Sequence, residues 1–551
     1  MFILEYRRTF RTAPSAAARP PSPHEERSAD SDRANNQTRA YPAMNIGKIL
    51  SHHARFRADH TALICDDQRL TYSELNLSVD RIAQAIHAAG ICKGDKVATL
   101  LPNCRELWEL YWAIAKLGAV SVPLSPLLRD HGLQNLLNNA DTALLVTTKS
   151  VAIHLDPIFD TLRLRRSDVW LIDNEEHPHY DSFYRHKTRA PDTELPDADI
   201  RPEDPYNIIY SSGTTGDPKG IVHTHRVRAA YMTLFSSYYR MTPECVVLHS
   251  GSIVFNGAFL TIMPVMFLGG TFILHRKFDV ADTVRTIEQE KVTHTMLVPS
   301  QIVAALQHPD FNGEKISSLE MILSVGAPLH QKHKEEIDRR VPGAFYELYG
   351  LTEGFVTILD KTDFHKKAGS VGCPPQFFEM RIVDEQGQDL PPGEVGEIVG
   401  RGPIRMSGYY KDPIRTREAI RDGWVYTGDL GYADQDGYLF LVDRKKDLII
   451  SGGVNVYSKD IEDIMIGHPA VQEVAVFGIP DESWGETPVA AVVLNPASEA
   501  PSERQLQIWV NKRVNACFHR LKAVRIMADF PRNVAGKTLK REIKKHYLEG
   551  Q

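Results

Sequence analysis

A loop rich in glycine and hydroxyl residues lies near the middle of the chain. Residues 210–220 read YSSGTTGDPKG and follow a short β-prone segment. Glycines let backbone N–H groups approach an anion closely, hydroxyls add donors, and Lys219 supplies a positive charge. The segment therefore predicts a phosphate-binding loop, although its spacing does not fit the Walker A motif. The candidate ligands are Ser211, Ser212, Gly213, Thr214, Thr215, Gly216 and Lys219.

Five further segments follow this loop along the chain: residues 323–329 (LSVGAPL), 349–353 (YGLTE), 426–429 (YTGD), 443–447 (DRKKD) and 536–537 (GK). Together the six segments resemble the adenylate-forming superfamily, which includes acyl-CoA synthetases, carrier-protein-loading adenylation domains and beetle luciferases. Among these, the chain is most similar to fatty-acid or aryl acyl-CoA ligases. The resemblance extends over nearly the whole chain from Met44.

The resemblance implies an ATP site and a role for each of its residues. The ring of Tyr349 would stack on adenine, and Asp429 and Arg444 would contact the ribose. Thr352 and Glu353 would lie by the phosphates, where Glu353 would hold Mg²⁺ through its carboxylate oxygens. The remaining implied residues are Thr214 as a second Mg²⁺ contact, Gly326, Ala327 and Gly350 along the adenine and acyl slots, and Lys537 as a catalytic cation.

The implied chemistry has two steps that share one site. A carboxylic acid and ATP give acyl-AMP and pyrophosphate, and a thiol, expected to be that of coenzyme A, then gives a thioester and AMP. Lys537 would stabilise the two anions that meet in the first step. It must leave before the thiol enters, so the resemblance implies a C-terminal domain that rotates about a hinge at Lys446. Gly452 and Gly453 would then leave room for the pantetheine arm.

The acid would bind in a mostly apolar pocket formed by Phe255, Asn256, Gly257, Gly326 and Gly350. We expect no cation placed to hold a second carboxylate, which favours a medium- or long-chain fatty acid or an aromatic monoacid. Two positions depart from the family pattern. Phe255 stands where the aromatic gate is often histidine, since His249 comes too early, and Asn455 stands where some members carry a phosphate-contacting arginine.

Three other functions stay open at this point. The acyl acceptor could be a carrier-protein thiol, and the sequence does not decide between carrier and coenzyme A. A luciferase-type oxidoreductase shares the ATP motifs, but Ile450 stands where its extra lysine is expected. A nucleotide-binding regulator without catalysis is disfavoured by the presence of both Lys537 and Glu353.

Alternating strand and helix patterns must position these residues. Strands are predicted at 70–71, 97–101, 120–124 and 144–147, and helices from 72 and at 106–117, which is typical of a mostly parallel sheet covered by helices. A polar, proline-punctuated stretch at 192–205 predicts a boundary before a second α/β unit. Residues 369–441 predict a β-rich subdomain. The fold class is α/β, with a large N-terminal domain of sheet-and-helix subdomains and a small, mobile α+β C-terminal domain.

These patterns divide the chain into a disordered extension at 1–43, an N-terminal AMP-binding domain at 44–443 and a C-terminal domain at 444–551. The extension mixes arginine with proline and serine and lacks the apolar stretch of a secretory signal. The uncharged run 253–274 is long enough to span a bilayer, but Pro264 and the pair Gly269 and Gly270 favour a buried helix followed by a buried strand.

Composition excludes several classes of protein. With 551 residues, of which 42% are hydrophobic and 24% charged, the chain is globular rather than disordered. Its net charge of −6 argues against a nucleic-acid partner. Six widely spaced cysteines form no metal-binding pattern and favour reduced, mostly buried thiols in the cytoplasm. Monomer and homodimer both stay open.

Overall fold

The computed structural model describes residues 44–173, 176–196, 198–211, 219–495, 500–514, 516–532 and 538–549. Within them, a first sheet of eight strands is mostly parallel, with an antiparallel strand at each edge. Its order across the sheet is Val356–Leu359, Phe345–Gly350, Met321–Val325, His294–Leu297, Val246–His249, Thr271–Leu274, Thr61–Cys65 and Gln68–Thr71. The inner strands Thr271–Leu274 and His294–Leu297 are buried along their whole length, as expected for a sheet covered on both faces.

A second sheet of eight described strands has the order Gly408–Tyr409, Lys219–Thr224, Pro205–Ser211, Val120–Leu124, Lys96–Leu100, Thr142–Thr147, Val169–Leu171 and Asp181–Ser182. The domain boundary expected at 192–205 is therefore wrong. Pro205–Ser211 pairs in parallel with Val120–Leu124, so the chain returns to the same sheet after this stretch. Proline and polar residues there mark a surface connection, which composition alone does not distinguish from a linker.

Helices cover the two sheets and fill the space between them. Trp108, on the helix Arg105–Leu117, stacks on Phe272 of the first sheet with ring centroids 4.2 Å apart. The same apolar core includes residues of the second sheet, such as Val97 and Leu144. The helices up to residue 419 are Lys48–Phe56, Tyr72–Ala88, Arg105–Leu117, Asp130–Asn139, Lys149–Ala152, Phe183–Arg189, His225–Tyr238, Phe259–Leu268, Val280–Glu290, Pro299–Gln307, Gln331–Arg340 and Pro413–Ala419.

Local sequence signals explain several of these boundaries. The helix Tyr72–Ala88 begins with a capping box, because Thr71 accepts from the N–H of Glu74 and the Glu74 carboxylate accepts from the N–H of Thr71. The uncharged run at 253–274 forms the helix Phe259–Leu268 and a strand, as expected. Pro264, however, lies inside that helix, and the break falls at Gly269, which is left-handed. Within the described residues, no helix is long and apolar enough to cross a membrane.

The expected β-rich subdomain is a five-stranded antiparallel sheet. Its strands are Glu379–Val383, Gly396–Arg401, Trp424–Ala433, Ile420–Arg421 and Leu439–Arg444. The C-terminal region is α+β, as expected. Its strands are Ile449–Ser451, Val454–Val456, Val471–Asp481, Gly485–Leu494 and Val524–Met527, and its helices are Ser458–Met465, Glu503–Asn511 and Lys540–Glu549.

The six cysteines are free thiols. Burial is as expected for Cys65, Cys104 and Cys245, whereas Cys92 and Cys517 are exposed. Burial raises the pKa of Cys65 and of Cys245 to about 12, so both stay protonated and act as small apolar residues.

Candidate active site

Loops at one edge of the first sheet carry most of the predicted site. Four neighbouring strands, Val246–His249, His294–Leu297, Met321–Val325 and Phe345–Gly350, run parallel, so their carboxyl ends meet at this edge. The loops that follow them contain the predicted acid-binding residues 255–257, Gly326 and the segment 349–353. The carboxyl edge of parallel strands is the common ligand-binding position of α/β sheets.

The segment 349–353 is held in a tight turn between two antiparallel strands. A Cβ on Gly350 would lie 2.5 Å from the carbonyl oxygen of Phe355, and one on Gly354, which has φ of +109°, would lie 2.2 Å from that of Ile404. Glycine is therefore required at both positions by the close approach of backbone. The place of Gly350 in the acid pocket stays a prediction.

Tyr349, Asp429 and Arg444 come together as predicted. The Tyr349 hydroxyl donates a hydrogen bond of 2.9 Å to Asp429 Oδ2, and Arg444 Nε lies 3.4 Å from Asp429 Oδ1. Asp429 and Arg444 face each other across two antiparallel strands. Burial and the Asp429 carboxylate raise the pKa of Tyr349, so its hydroxyl remains a donor. The arrangement offers an aromatic face next to a carboxylate and a guanidinium.

Glu353 is oriented by a tyrosine that sequence reasoning missed. The Tyr409 hydroxyl donates to Glu353 Oε1 at 2.7 Å, and the Glu353 carbonyl accepts from the N–H of Met406 at 2.9 Å. Lys219 Nζ lies 5.1 Å from the centroid of the Tyr409 ring. Lys219, the last candidate ligand of the predicted phosphate loop, and the predicted metal-binding carboxylate thus share one neighbour. No motif in the sequence singles out Tyr409, because its position depends on strand pairing with Lys219–Thr224.

Thr352 is anchored through its backbone. Its carbonyl oxygen lies 2.8 Å from Nε2 of His223, a residue with no exposed surface. Burial and the neighbouring charge of Arg228 hold the pKa of His223 well below its usual range, so the ring is neutral. His223 was not predicted, and an isolated histidine within a strand gives no sequence signal of this role.

The donor chemistry at Glu353 fits a magnesium ion that is shared with phosphates. Within the described ranges, no cluster of three or more His, Cys, Asp or Glu side chains could hold a metal by protein ligands alone. Mg²⁺ is commonly bound by one or two carboxylates and completed by substrate phosphate oxygens. Glu353 fits such a carboxylate ligand, because it shares the neighbour Tyr409 with Lys219 of the predicted phosphate loop.

Several predicted residues lie outside the described residues. They are Ser212, Gly213, Thr214, Thr215 and Gly216 of the phosphate loop, the catalytic candidate Lys537, and the extension at 1–43. Ser211 ends a described strand, although its side chain is not described. The roles of these residues stay predictions.

At two of the predicted acid-pocket glycines an added Cβ would make only ordinary van der Waals contacts. A Cβ on Gly326, which has φ of +97°, would contact Val298 at 3.8 Å, and one on Gly257 would contact Met296 at 3.7 Å. Asn256 donates to the Tyr231 hydroxyl at 3.1 Å, and Phe255 precedes it in a half-buried position. We call residues 255–257 together with Met296, Val298 and Gly326 the acid wall.

The predicted hinge residue Lys446 lies between the β-rich sheet and the C-terminal sheet, two residues after Arg444, whereas the predicted thiol-tunnel glycines lie within the C-terminal sheet. The Asp443 carboxylate accepts from the N–H of Ser458 at 2.6 Å. Gly452 and Gly453 form the turn between the strands Ile449–Ser451 and Val454–Val456, where both are left-handed. A Cβ on Gly452 would lie 2.7 Å from the Trp484 ring, whereas one on Gly453 would meet no atom within 4 Å.

Comparison with known proteins identifies the class to which this fold and site belong. The family model described as AMP-binding enzyme matches residues 50–410, and that for the AMP-binding enzyme C-terminal domain matches residues 460–537. The chain therefore belongs to the AMP-binding enzyme family, which confirms the resemblance to adenylate-forming enzymes.

Relatives in this family give the class more detail. The chain is 35% identical over 511 residues to a feruloyl-CoA synthase from an Amycolatopsis species, and the aligned region covers 91% of this chain and 99% of the relative. It is 31% identical to the fatty acid–[acyl-carrier-protein] ligase ScoC of Streptomyces coeruleorubidus, over 91% of this chain and 96% of the relative. The crystal structure of ATP-bound MatB from Rhodopseudomonas palustris aligns with a TM-score of 0.82 at 29% identity, covering 91% of this chain and 99% of that one.

Proposed function

We propose that the chain is an AMP-forming acyl-CoA ligase for a fatty or aromatic acid. In the first step, a carboxylate oxygen of the acid bonds to the α-phosphorus of ATP, the bond to the bridging β-phosphate oxygen breaks, and acyl-AMP and pyrophosphate form. In the second, the thiol of coenzyme A loses its proton and attacks the acyl carbon, and AMP leaves. The acid supplies the first nucleophile, so no enzyme nucleophile is needed.

The observation that carries the proposal is the spacing of two contacts along one short segment. Tyr349 bonds to Asp429, which pairs with Arg444, and four residues later Glu353 bonds to Tyr409 beside Lys219. The first group suits adenosine, because it combines an aromatic face with ribose-binding charges. The second suits a metal-bound polyphosphate. One segment thus carries groups for both ends of ATP.

The described residues orient the reactants in this scheme. Asp429 and Arg444 would hold the ribose hydroxyls, and Thr352 and Glu353 would lie along the phosphates. Glu353 would hold Mg²⁺, which when bound neutralises phosphate charge and polarises the oxygens that leave with pyrophosphate. Lys537 would bridge the acid and the α-phosphate.

A hinge at Lys446 would exchange Lys537 for Gly452 and Gly453 between the two steps. The support for this part of the proposal is the separate C-terminal sheet, which is joined to the β-rich sheet by the short segment 445–448. The absence of a side chain at Gly453 leaves open space beside this turn.

A carrier-protein thiol is the second candidate acceptor. The specific observation in its favour is the relative named as a fatty acid–[acyl-carrier-protein] ligase, at 31% identity. The feruloyl-CoA synthase at 35% identity favours coenzyme A. The cytoplasmic location stays a prediction, and monomer and homodimer both stay open.

Pyrophosphate release measured across short, medium, long and aryl acids tests the activity. We expect release with at least one fatty or aryl acid, and thioester formation on addition of coenzyme A. Thioester formed with a phosphopantetheinylated carrier but not with coenzyme A would assign the second acceptor. The absence of acid-dependent pyrophosphate release across the whole panel would contradict the proposal.

A further inference from the structure

A fully buried arginine lies beside the acid wall. Arg228 projects from the first turn of the helix His225–Tyr238 and has no exposed surface. Its guanidinium carbon lies 4.1 Å from the centroid of the Phe259 ring and 4.8 Å from that of Tyr231. Within the described ranges, no carboxylate forms an ion pair with it. Ring faces attract a cation, but they do not replace a counter-charge.

The hydrogen bonds of Arg228 fix the state of its neighbours. Nε and Nη2 donate to Asn207 Oδ1 at 3.2 and 3.1 Å, and Nη2 lies 3.1 Å from His223 Nδ1. Arginine can donate but not accept, so Nδ1 of His223 must be the unprotonated nitrogen. Nε2 then carries the proton and donates to the Thr352 carbonyl. Arg228 is therefore linked through one histidine to the loop that carries Thr352.

The same arginine is linked to the acid wall on its other side. Arg228 lies over the ring of Tyr231, and the hydroxyl of Tyr231 accepts a hydrogen bond from Asn256. Phe259, the other ring against Arg228, begins the helix that follows residues 255–257. The guanidinium thus lies between the acid wall and the segment at the predicted phosphate end. Arg228 was not among the predicted pocket residues, although an arginine on the buried face shared by Val227, Tyr231 and Phe235 was a readable signal.

Several buried polar atoms around Arg228 have no hydrogen-bond partner within the described part of the chain. They are Nη1 of Arg228, Nδ2 of Asn207, the hydroxyl of Tyr206 and Oδ1 of Asn256. An unpaired buried donor or acceptor costs about 1–3 kcal/mol, and a charged one costs more. The first three of these atoms can donate, and such a concentration of unpaired polar atoms next to the predicted acid wall is expected where a ligand supplies the missing partner.

We propose that Arg228 determines acid specificity by donating a hydrogen bond to an acceptor group at the end of the acid remote from the reacting carboxylate. The inference rests on the proposed acid activation and narrows its substrate class. The preferred acid carries a hydroxyl, ether or carboxylate oxygen at its far end. A wholly apolar acid of the same shape leaves Nη1 unpaired, and sites built to bond a polar group reject such analogues.

Matched acids of equal shape test this proposal through pyrophosphate release. The pairs are 4-hydroxycinnamate with 4-methylcinnamate, 4-methoxycinnamate with 4-ethylcinnamate, and 8-hydroxyoctanoate with nonanoate. We expect the wild-type enzyme to favour the oxygen-bearing member of at least one pair by about tenfold or more in kcat/KM, the scale of one hydrogen bond. Arg228→Met should bring that ratio to within about twofold of one. A ratio taken within one variant does not depend on the fraction folded.

Arg226→Met is the matched control. Arg226 lies on the same helix but is largely exposed and pairs with Glu203 at 3.3 Å, so the ratio should stay at its wild-type value. Equal use of both members of every pair by the wild type, or an unchanged ratio in Arg228→Met, would overturn the inference. If Arg228→Met does not fold, the wild-type ratio decides alone. Failure to release pyrophosphate with any acid would instead contradict the proposed function.

Discussion

The Tyr409 hydroxyl donates a 2.7 Å hydrogen bond to the Glu353 carboxylate, and this bond joins the two large sheets. Tyr409 belongs to the edge strand of the second sheet, whereas Glu353 follows a strand of the first. The edge strand pairs with Lys219–Thr224, which begins within the last two residues of the predicted phosphate loop. The carboxylate proposed to hold Mg²⁺ is therefore oriented by the same sheet that positions the phosphate loop.

Tyr409→Phe should weaken the use of Mg·ATP. The variant removes one hydrogen bond to a charged group, so we expect kcat/KM for Mg·ATP to fall by roughly tenfold, equivalent to about 1.5 kcal/mol. Tyr410→Phe is the control, because its hydroxyl bonds to Asp141 instead, at 2.8 Å. Equal losses in the two variants would argue against a role of Tyr409 through Glu353.

Glu353→Gln should impair adenylation more severely. Loss of a preorganised electrostatic contact costs about 2.7 kcal/mol or more, or roughly a hundredfold in pyrophosphate release. The Mg²⁺ concentration for half-maximal rate should also rise. Glu379→Gln, which alters an exposed carboxylate of the β-rich sheet paired with Arg401, should change neither quantity. An unchanged Mg²⁺ dependence in Glu353→Gln would remove Glu353 from the metal site.

Asp429→Asn should reduce discrimination between ATP and its deoxy analogues. If Asp429 accepts hydrogen bonds from the ribose hydroxyls, the wild type should prefer ATP over 2′-deoxy-ATP or 3′-deoxy-ATP by about 1–3 kcal/mol per lost bond. The variant should show a ratio of kcat/KM values close to one. A wild-type-like ratio in the variant would place the ribose elsewhere.

Buried histidines should make the fold sensitive to mild acid. Burial lowers the pKa of His225 and of His249 to about 4, below the ordinary value near 6.5. The unfolded chain therefore binds protons more readily than the folded chain in this range. The contribution of the two neutral histidines to stability is present above pH 6.5 and is lost as the pH falls towards 4. Each histidine should lower the free energy of unfolding by about 2 kcal/mol as the pH falls from 7 to 5.

Replacement of His249 isolates this effect. His249→Phe removes the titrating group, so the fall in Tm between pH 7 and 5 should be smaller than in the wild type. The exposed His131 is the control, and His131→Phe should leave the pH dependence of Tm unchanged. An identical fall in Tm in His249→Phe would contradict the assignment.

The sequence predicted the parts of the site that depend on local pattern. Tyr349, Asp429 and Arg444 lie in short motifs, and the structure brings them together. The strands and helices between residues 70 and 147 were also predictable, because their apolar periodicity and capping residues are local. The boundary at 192–205 was not, since strand order within a sheet depends on distant pairing.

Two of the missed residues share a physical reason. Tyr409 and His223 act through contacts between segments far apart in the chain, since Tyr409 reaches Glu353 across 56 positions and His223 reaches Thr352 across 129. An absent side chain can make room for either backbone or ligand, and the sequence does not distinguish the two. At Gly350 the close approach of the Phe355 backbone is sufficient to require glycine.

The division of the two half-reactions between Lys537 and Gly453 tests the central claim most directly. Two assays are run on Lys537→Ala and on Gly453→Leu. One measures acyl-AMP formation from acid and ATP, and the other measures thioester formation from supplied acyl-AMP and coenzyme A. Gly453→Ala is the control, because alanine imposes the same strain at φ of +77° without the bulk.

We expect Lys537→Ala to lose acyl-AMP formation and keep thioester formation. Gly453→Leu should keep acyl-AMP formation, lose thioester formation and accumulate acyl-AMP, since a bulky side chain would obstruct the thiol alone. Gly453→Ala should resemble the wild type more closely in both steps. Equal loss of both half-reactions in Lys537→Ala and Gly453→Leu would contradict a site that serves two steps by domain rotation.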